Sequence, residues 1–179
     1  MTRSSVTSFV LRDLDPAREA DFDWVALGMH LTLAEVEGEK GRETYSLSWA
    51  RTRLREMLDR PRPFQAQVFL AVGAGDPDVI AGHTILRLNE MPDGRVYGLV
   101  STTYVDPAHR RCSLADRLLD HGEAWLVAQG MTELATWTSA TNVRLIRLYE
   151  KHGYAITESG PNDGTMMVRL TKALPAVTS

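Results

Sequence analysis

Apolar and polar residues change their spacing along the chain, and each change marks a different kind of element. The apolar run Phe9 to Leu11 reads as a short strand, and Asp13 to Asp15 lead into Pro16, which suits a first helical turn because proline lacks only an amide that would go unpaired there. The spacing predicts a helix from about Pro16 to Glu35 and an interruption at Gly38 and Gly41. A second amphipathic helix is predicted from about Glu43 to Leu58, carrying Leu47, Leu54 and Leu58 and stopped by Pro61 and Pro63. The pattern then turns strand-like over Ala66–Val72, Val79–Leu88 and Val96–Val105. The intervening Gly-Ala-Gly-Asp-Pro-Asp and Met-Pro-Asp-Gly segments are turn sequences, so these strands predict an antiparallel meander. Helical spacing returns at about Ser113–Gln129 and Asn142–His152, on either side of a strand at Leu134–Thr138. Strands at Tyr154–Glu158 and Thr165–Leu170 complete the order, which is α+β with a mixed sheet.

Composition narrows the classes of function. At 179 residues, 44% hydrophobic and 24% charged, the chain matches an ordinary globular domain. No repeat or composition shift divides it, so one domain over residues 1–174 with a loose tail at 175–179 is expected. A net charge of -3 argues against a broad grip on nucleic acid or on an anionic membrane, and points to a small molecule or a local peptide as partner. No apolar run approaches the ~20 residues that span a bilayer, and Met1 to Val10 lacks the apolar stretch of a signal peptide, which makes a cytoplasmic protein the expectation. The single cysteine, Cys112, allows no disulfide within the chain, and the histidines at 30, 83, 109, 121 and 152 lack ligand-like pairing, so metal catalysis finds no support.

The segment richest in chemistry is Val105-Asp106-Pro107-Ala108-His109-Arg110-Arg111-Cys112-Ser113-Leu114-Ala115, between a strand and an amphipathic helix. First-turn amides of a helix lack partners and carry the positive end of its dipole, so they can hold a phosphate where small side chains permit approach. Ser113 and Ala115 are small, and Arg110 and Arg111 add cationic donors that suit a pyrophosphate. The plainer reading is a capped helix with solvated arginines. The segment resembles motif A of the GNAT superfamily, V-x-P-x-x-R-x-x-G-x-G/A, with Ser113 at a position usually held by glycine; its hydroxyl could cap the helix or bind phosphate.

A second stretch, Asn142 to Tyr154, contains Leu148-Tyr149-Glu150-Lys151-His152-Gly153-Tyr154 and resembles motif B of the same superfamily. Asn142 suits a helix N-cap, and Gly153 suits the left-handed residue that ends a helix. About two turns separate Asn142 from Tyr149, which puts them on one face. Apart from the resemblance, Tyr149 could be a half-buried core aromatic and Asn142 only a cap.

The resemblance covers about Phe64 to Leu170. It implies a GNAT fold, with a mixed, mostly antiparallel sheet of about six to seven strands and about four helices. It implies acetyl-CoA as cosubstrate without a metal, and transfer of an acetyl group to a primary amine by direct attack in a ternary complex. The implied coenzyme A contacts are Arg110, Arg111, Cys112, Ser113, Leu114 and Ala115 at the pyrophosphate, backbone groups of Thr103, Tyr104 and Val105 along the pantetheine, and Asn142. Tyr149 is implied near the thioester sulfur. A phenol near ~10 against a thiol near ~8.5 makes full proton donation uphill by about 2 kcal/mol, so a hydrogen bond from Tyr149 to sulfur is the easier role. Cys112 stands on the phosphate side of the pattern and is expected to be a bystander to the chemistry. A lysine-like acceptor is free base only about one part in a thousand at neutral pH, so something must take its proton. Strand Val96–Val105 holds no carboxylate, which leaves Glu35, Glu37, Glu90, His83 or water; His83, among Val79, Ala81 and Ile85, also reads as a packed core residue. The acidic stretch Glu35, Glu37 and Glu39 could attract a cationic acceptor or simply be solvated. The rival reading is a non-catalytic acyl-CoA-binding sensor. A homodimer agrees with the resemblance, although no residue specifies one.

Overall fold

The computed structural model of the protein describes residues 8–175; the expectations placed on residues 1–7 and on the tail 176–179 lie outside the described residues. Seven strands form one sheet: β1 (Phe9–Asp13), β2 (Gln67–Gly73), β3 (Ile80–Glu90), β4 (Val96–Val105), β5 (Glu133–Ser139), β6 (Ala155–Asn162) and β7 (Thr165–Ala173). Their order is β1-β2-β3-β4-β5-β7-β6. All neighbours are antiparallel except β4 and β5, so the sheet is mixed and mostly antiparallel, as the sequence predicts.

Helices cover both faces. α1 (Glu19–Thr44) and α2 (Leu47–Asp59) lie on one side, α3 (Leu114–Ala128) and α4 (Val143–Lys151) on the other, and a single 3-10 turn occupies Pro107–His109. α1 buries Phe22, Val25, Ala26 and Met29, the spacing of one helical face, while α2 buries Ala50, Leu54 and Met57. These side chains meet Val68, Leu70, Val72 and Ile85 of the sheet. Opposite, Leu119 and Leu126 of α3 and Tyr149 of α4 pack with Leu86, Val100, Leu134 and Leu170. Each fully buried leucine here contributes about 2 kcal/mol of apolar transfer energy. Arg12 of β1 grips the buried carboxylate of Asp21 with both terminal nitrogens, at 2.6 and 3.0 Å, and so fixes the start of α1 on the sheet.

The expected interruption at Gly38 and Gly41 is a bend instead. α1 remains helical through both glycines to Thr44, and α2 starts at Leu47, where the Ser46 hydroxyl accepts the Trp49 amide at 3.1 Å. A Cβ at Gly41 would lie 2.7 Å from the Leu33 carbonyl and 2.6 Å from the Glu37 Cβ. Positions eight apart in a straight helix are separated by about 12 Å along the axis, so this approach requires a sharp bend, which only glycine accommodates. Glycine therefore loosened the helix without ending it.

Candidate active site

β4 and β5 run parallel for two residues and then part. Their register holds only at Gly98–Leu134 and Leu99–Ala135. One step further, the Thr136 hydroxyl donates to the Val100 carbonyl at 2.9 Å and occupies the place of the next rung. Ile85 faces Thr102 while Leu86 faces Val100, which leaves Ser101 as an extra residue in β4 and bends that strand away. Past the bulge the backbone alternates. The Asp106 amide donates to Ala81 of β3 at 2.8 Å, so Tyr104 also turns its backbone to β3, whereas Thr103 and Val105 turn theirs to the gap. The Tyr104 ring instead points to α1, where it meets Trp24.

Two cavities share this gap. The first, of about 570 Å³, is bordered by Thr103, Tyr104, Val105, Arg110, Arg111, Ser113, Leu114, Ala115 and Asn142. These are the sequence-predicted donor residues with the exception of Cys112, which is exposed and points its thiol back to the His109 carbonyl at 2.6 Å. The loop is wound tightly: Arg111 and Ser113 both have left-handed backbones, at φ 68° and 60°. Such winding before a helix turns successive amides inward as an anion-binding concavity. It also changes the role of Ser113. The residue occupies the N-cap of α3, but its left-handed backbone keeps the hydroxyl from capping, and no side-chain cap bond forms. Arg110 is anchored by its Nε to the Val105 carbonyl and by Nη2 to Glu35 Oε1, each at 2.9 Å.

The second cavity, of about 190 Å³, lies deeper between β4 and β5 and is roofed by α1 and α2. Thr32, Val36, Thr103, Asn142 and Leu145 border both cavities, so they form one trough. α4 delivers Tyr149 to this trough. The Asn142 side chain caps the helix by accepting the Leu145 amide at 3.3 Å, and Gly153, at φ 90°, ends it with a left-handed turn, as predicted. Tyr149 packs edge-on against Tyr154 at 5.0 Å and is 1% exposed, with its phenol beside the hydroxyls of Thr136 and Thr103. Burial holds this phenol above the ordinary range, and the two threonines oppose the shift without cancelling it. Tyr149 is therefore a protonated hydrogen-bond donor at neutral pH.

The proposed proton acceptors are dispersed. Glu35 serves the donor end, paired with Arg110 at 2.9 Å and Arg144 at 3.7 Å rather than facing the deeper cavity. Glu90 ends β3 at an exposed position. His83 is fully buried against α1, between Trp24 and Tyr104, and neither ring nitrogen has a partner; burial lowers its pKa to about 3. It is a packed core residue. Glu37 alone among these candidates borders the deeper cavity. Sequence reading missed Arg144, Thr136, Arg53, Trp49, Trp137 and Met167, which reach the trough from α2, β5, α4 and β7. The position of Arg144 in the first turn after Asn142 was the one usable signal among them.

The profile of the acetyltransferase (GNAT) family matches residues 33–154. No curated protein matches the sequence. Solved structures share the fold at low identity. The NatC complex bound to Gag peptide and CoA aligns at 17% identity over 94% of this chain and 99% of that chain, with a TM-score of 0.69. A GNAT-family acetyltransferase from Streptococcus pneumoniae gives 19% identity, 94% and 100% coverage and a TM-score of 0.67. Arabidopsis thaliana Naa50 in complex with the bisubstrate analogue CoA-Ac-MVNAL gives 17%, 93%, 99% and 0.60. With its parted strands, its wound loop before α3 and a profile match over most of its length, the chain belongs to the acetyltransferase (GNAT) family.

Proposed function

We propose that the protein transfers an acetyl group from acetyl-CoA to a primary amine by direct attack within a ternary complex. One observation carries this reading: a single trough runs from the wound, arginine-bearing loop to the buried phenol of Tyr149, with the gap-facing backbone of Thr103 and Val105 along its wall. The residues present fit coenzyme A. Inward-turned amides around Arg111 and Ser113, the start of α3 and the Arg110 guanidinium suit a pyrophosphate. The gap-facing amide groups of Thr103 and Val105 suit the amides of a pantetheine, although the Val105 carbonyl is already taken by Arg110. Two structural neighbours crystallised with CoA or a CoA-containing analogue support the same assignment.

Bound acetyl-CoA would supply the acyl group as an activated thioester. The protein's share is positional and electrostatic. Tyr149 donates a hydrogen bond where negative charge grows on the departing sulfur, and its raised pKa keeps the proton in place for that bond. Glu37, at the deeper cavity, attracts the ammonium form of the acceptor and takes up its proton directly or through water. Thr136 and Thr103 hold the phenol in line, and the bent α1 closes the trough above it.

Titration with acetyl-CoA, followed by heat and by thermal midpoint, tests the donor half, and release of free CoA across a panel of primary amines tests transfer. Saturable binding with steady CoA release on at least one amine is expected. Binding without turnover on any amine would leave an acyl-CoA sensor, and absence of binding would remove the reading altogether.

A further inference from the structure

The deeper cavity has a charge pattern that the transfer reaction does not require. Only two ionisable side chains of opposite sign border it, Glu37 from the bend of α1 and Arg53 from α2. Among the described residues Glu37 makes no ion pair, and the sole one made by Arg53 is a loose contact of 3.6 Å with Glu56 one turn along its own helix. The Arg53 end is positive beyond its own charge. Arg87 of β3 lies beneath α2, largely out of water, with its Nε lacking a hydrogen-bond partner. Burial first, then the nearness of Arg53 and Arg60, lowers the pKa of Arg87, and no carboxylate relieves it. Neither Arg60 nor Arg87 forms an ion pair among the described residues. Glu37 and Arg53 thus border one small cavity without pairing to each other, and the buried Arg87 guanidinium adds to the positive charge around Arg53.

We infer that the acceptor amine itself carries a carboxylate: its ammonium group is drawn to Glu37 and its carboxylate to Arg53, with Arg87 beneath α2 adding to the positive charge there. This assignment rests on the acyltransferase reading and deepens it. A neutral or polycationic amine would leave Arg53 uncompensated or repelled, whereas a zwitterion satisfies both ends at once. The size agrees. A cavity of about 190 Å³ falls below the ~300 Å³ at which pockets for drug-sized ligands begin, so the part of the acceptor held inside is small. Trp49, Trp137, Met29, Met57 and Met167 supply its apolar wall, which favours amino acids with apolar side chains over polar ones.

The test uses the full chain with acetyl-CoA and matched acceptors: phenylalanine, methionine and 6-aminohexanoate, each as free acid and as carboxamide, together with phenethylamine. At least one free acid is expected to exceed its carboxamide in kcat/KM by about tenfold or more, the worth of a charge-assisted hydrogen bond. Arg53→Gln should shrink that ratio to within about threefold, mainly through KM, while the affinity for acetyl-CoA is retained as proof of an intact fold. Carboxamides or phenethylamine turned over as well as the acids would overturn the assignment, as would an acid preference that survives Arg53→Gln. A peptide with a free N-terminus and a blocked C-terminus acetylated better than any free acid would overturn it too. In each of these cases CoA is released and the acyltransferase reading stands; loss of acetyl-CoA binding or of all turnover would bring down both.

Discussion

Most of the donor end comes from one stretch of chain, Thr103 to Asp116, with Glu35 of α1 and Arg144 of α4 at its rim, whereas the acceptor end is assembled from α1, α2, β4, β5, α4 and β7. The contrast follows from what each end must do. A pyrophosphate is recognised by backbone amides, an arginine and a compact loop, and adjacent residues can supply all of these. An acceptor cavity is recognised by its side walls, and walls come from elements distant in sequence. The donor end is also rigidly pinned, through Arg110 to Val105 and Glu35. At the acceptor end, among the described residues, Glu37 makes no ion pair and Arg53 only the loose one with Glu56.

Tyr149 borders the deeper cavity beside Thr103, which borders both, and its replacement should produce the largest effect. Tyr149→Phe removes the hydroxyl proposed to meet the departing sulfur while preserving the ring that packs on Tyr154. A fall in kcat of about 100-fold is expected, with little change in the affinity for acetyl-CoA. Unchanged turnover at saturating substrates would confine Tyr149 to the core. Arg110→Ala should act next and at the donor end alone, weakening acetyl-CoA by about thirtyfold, because it removes a charged donor and frees the Glu35 carboxylate to repel phosphate. Glu35→Gln should move the affinity the other way, by a few-fold, since its pair with Arg110 is partly exposed. A shift of both variants in the same direction would show that Glu35 supports the phosphate site rather than competing for its arginine.

The same division decided what was legible in the sequence. Asn142, Tyr149 and Gly153 could be placed because capping and helical spacing are local rules, and the structure puts each in its predicted position. The meander and its turns were readable for a similar reason, since strand alternation and turn residues are short-range signals. The bend at Gly41 was not. Glycine lowers helix propensity whether a helix breaks or bends, and the outcome was set by tertiary contacts that local spacing does not encode. Glu35 was likewise misdirected: neighbours in sequence at 35 and 37 face opposite ends of the trough, because the direction of a helical side chain depends on where the helix lies. Arg53, Trp49 and Trp137 carried no signal, as nothing in α2 or β5 marks a residue as a cavity wall.

Acid should loosen the seat of α1 on the sheet, because α1 rests there on a neutral histidine. His83 faces Trp24 and Gly28 of α1 and Tyr104 of β4, and a Cβ at Gly28 would come within 2.7 Å of His83 Nε2. Its folded pKa is about 3, against about 6.5 for the unfolded chain. Above pH 6.5 both states are neutral and the stabilisation is complete. As the pH falls from 6.5 towards 3 the unfolded chain binds a proton that the folded one refuses, so stability declines by about 1.4 kcal/mol per unit. Thermal midpoints of the protein and of His83→Leu between pH 7 and 5 check this. The variant should show the shallower slope, and parallel slopes would mean that His83 reaches a proton acceptor when charged.

The smallest effect belongs to the donor loop and concerns its backbone. Ser113 holds φ 60°, a left-handed conformation that costs a residue with a Cβ about 1–2 kcal/mol and costs glycine almost nothing. Part of that gain is offset because glycine also loosens the unfolded chain. Ser113→Gly should therefore stabilise the protein by up to about 1 kcal/mol, a rise in Tm of about 2–4 °C for a chain of this size. Removal of the side chain should also let a phosphate approach the α3 amides more closely and tighten acetyl-CoA. A variant that is more stable yet binds acetyl-CoA more weakly would assign the Ser113 hydroxyl to the phosphate itself, and would make the donor end depend on a side chain where the fold offers backbone.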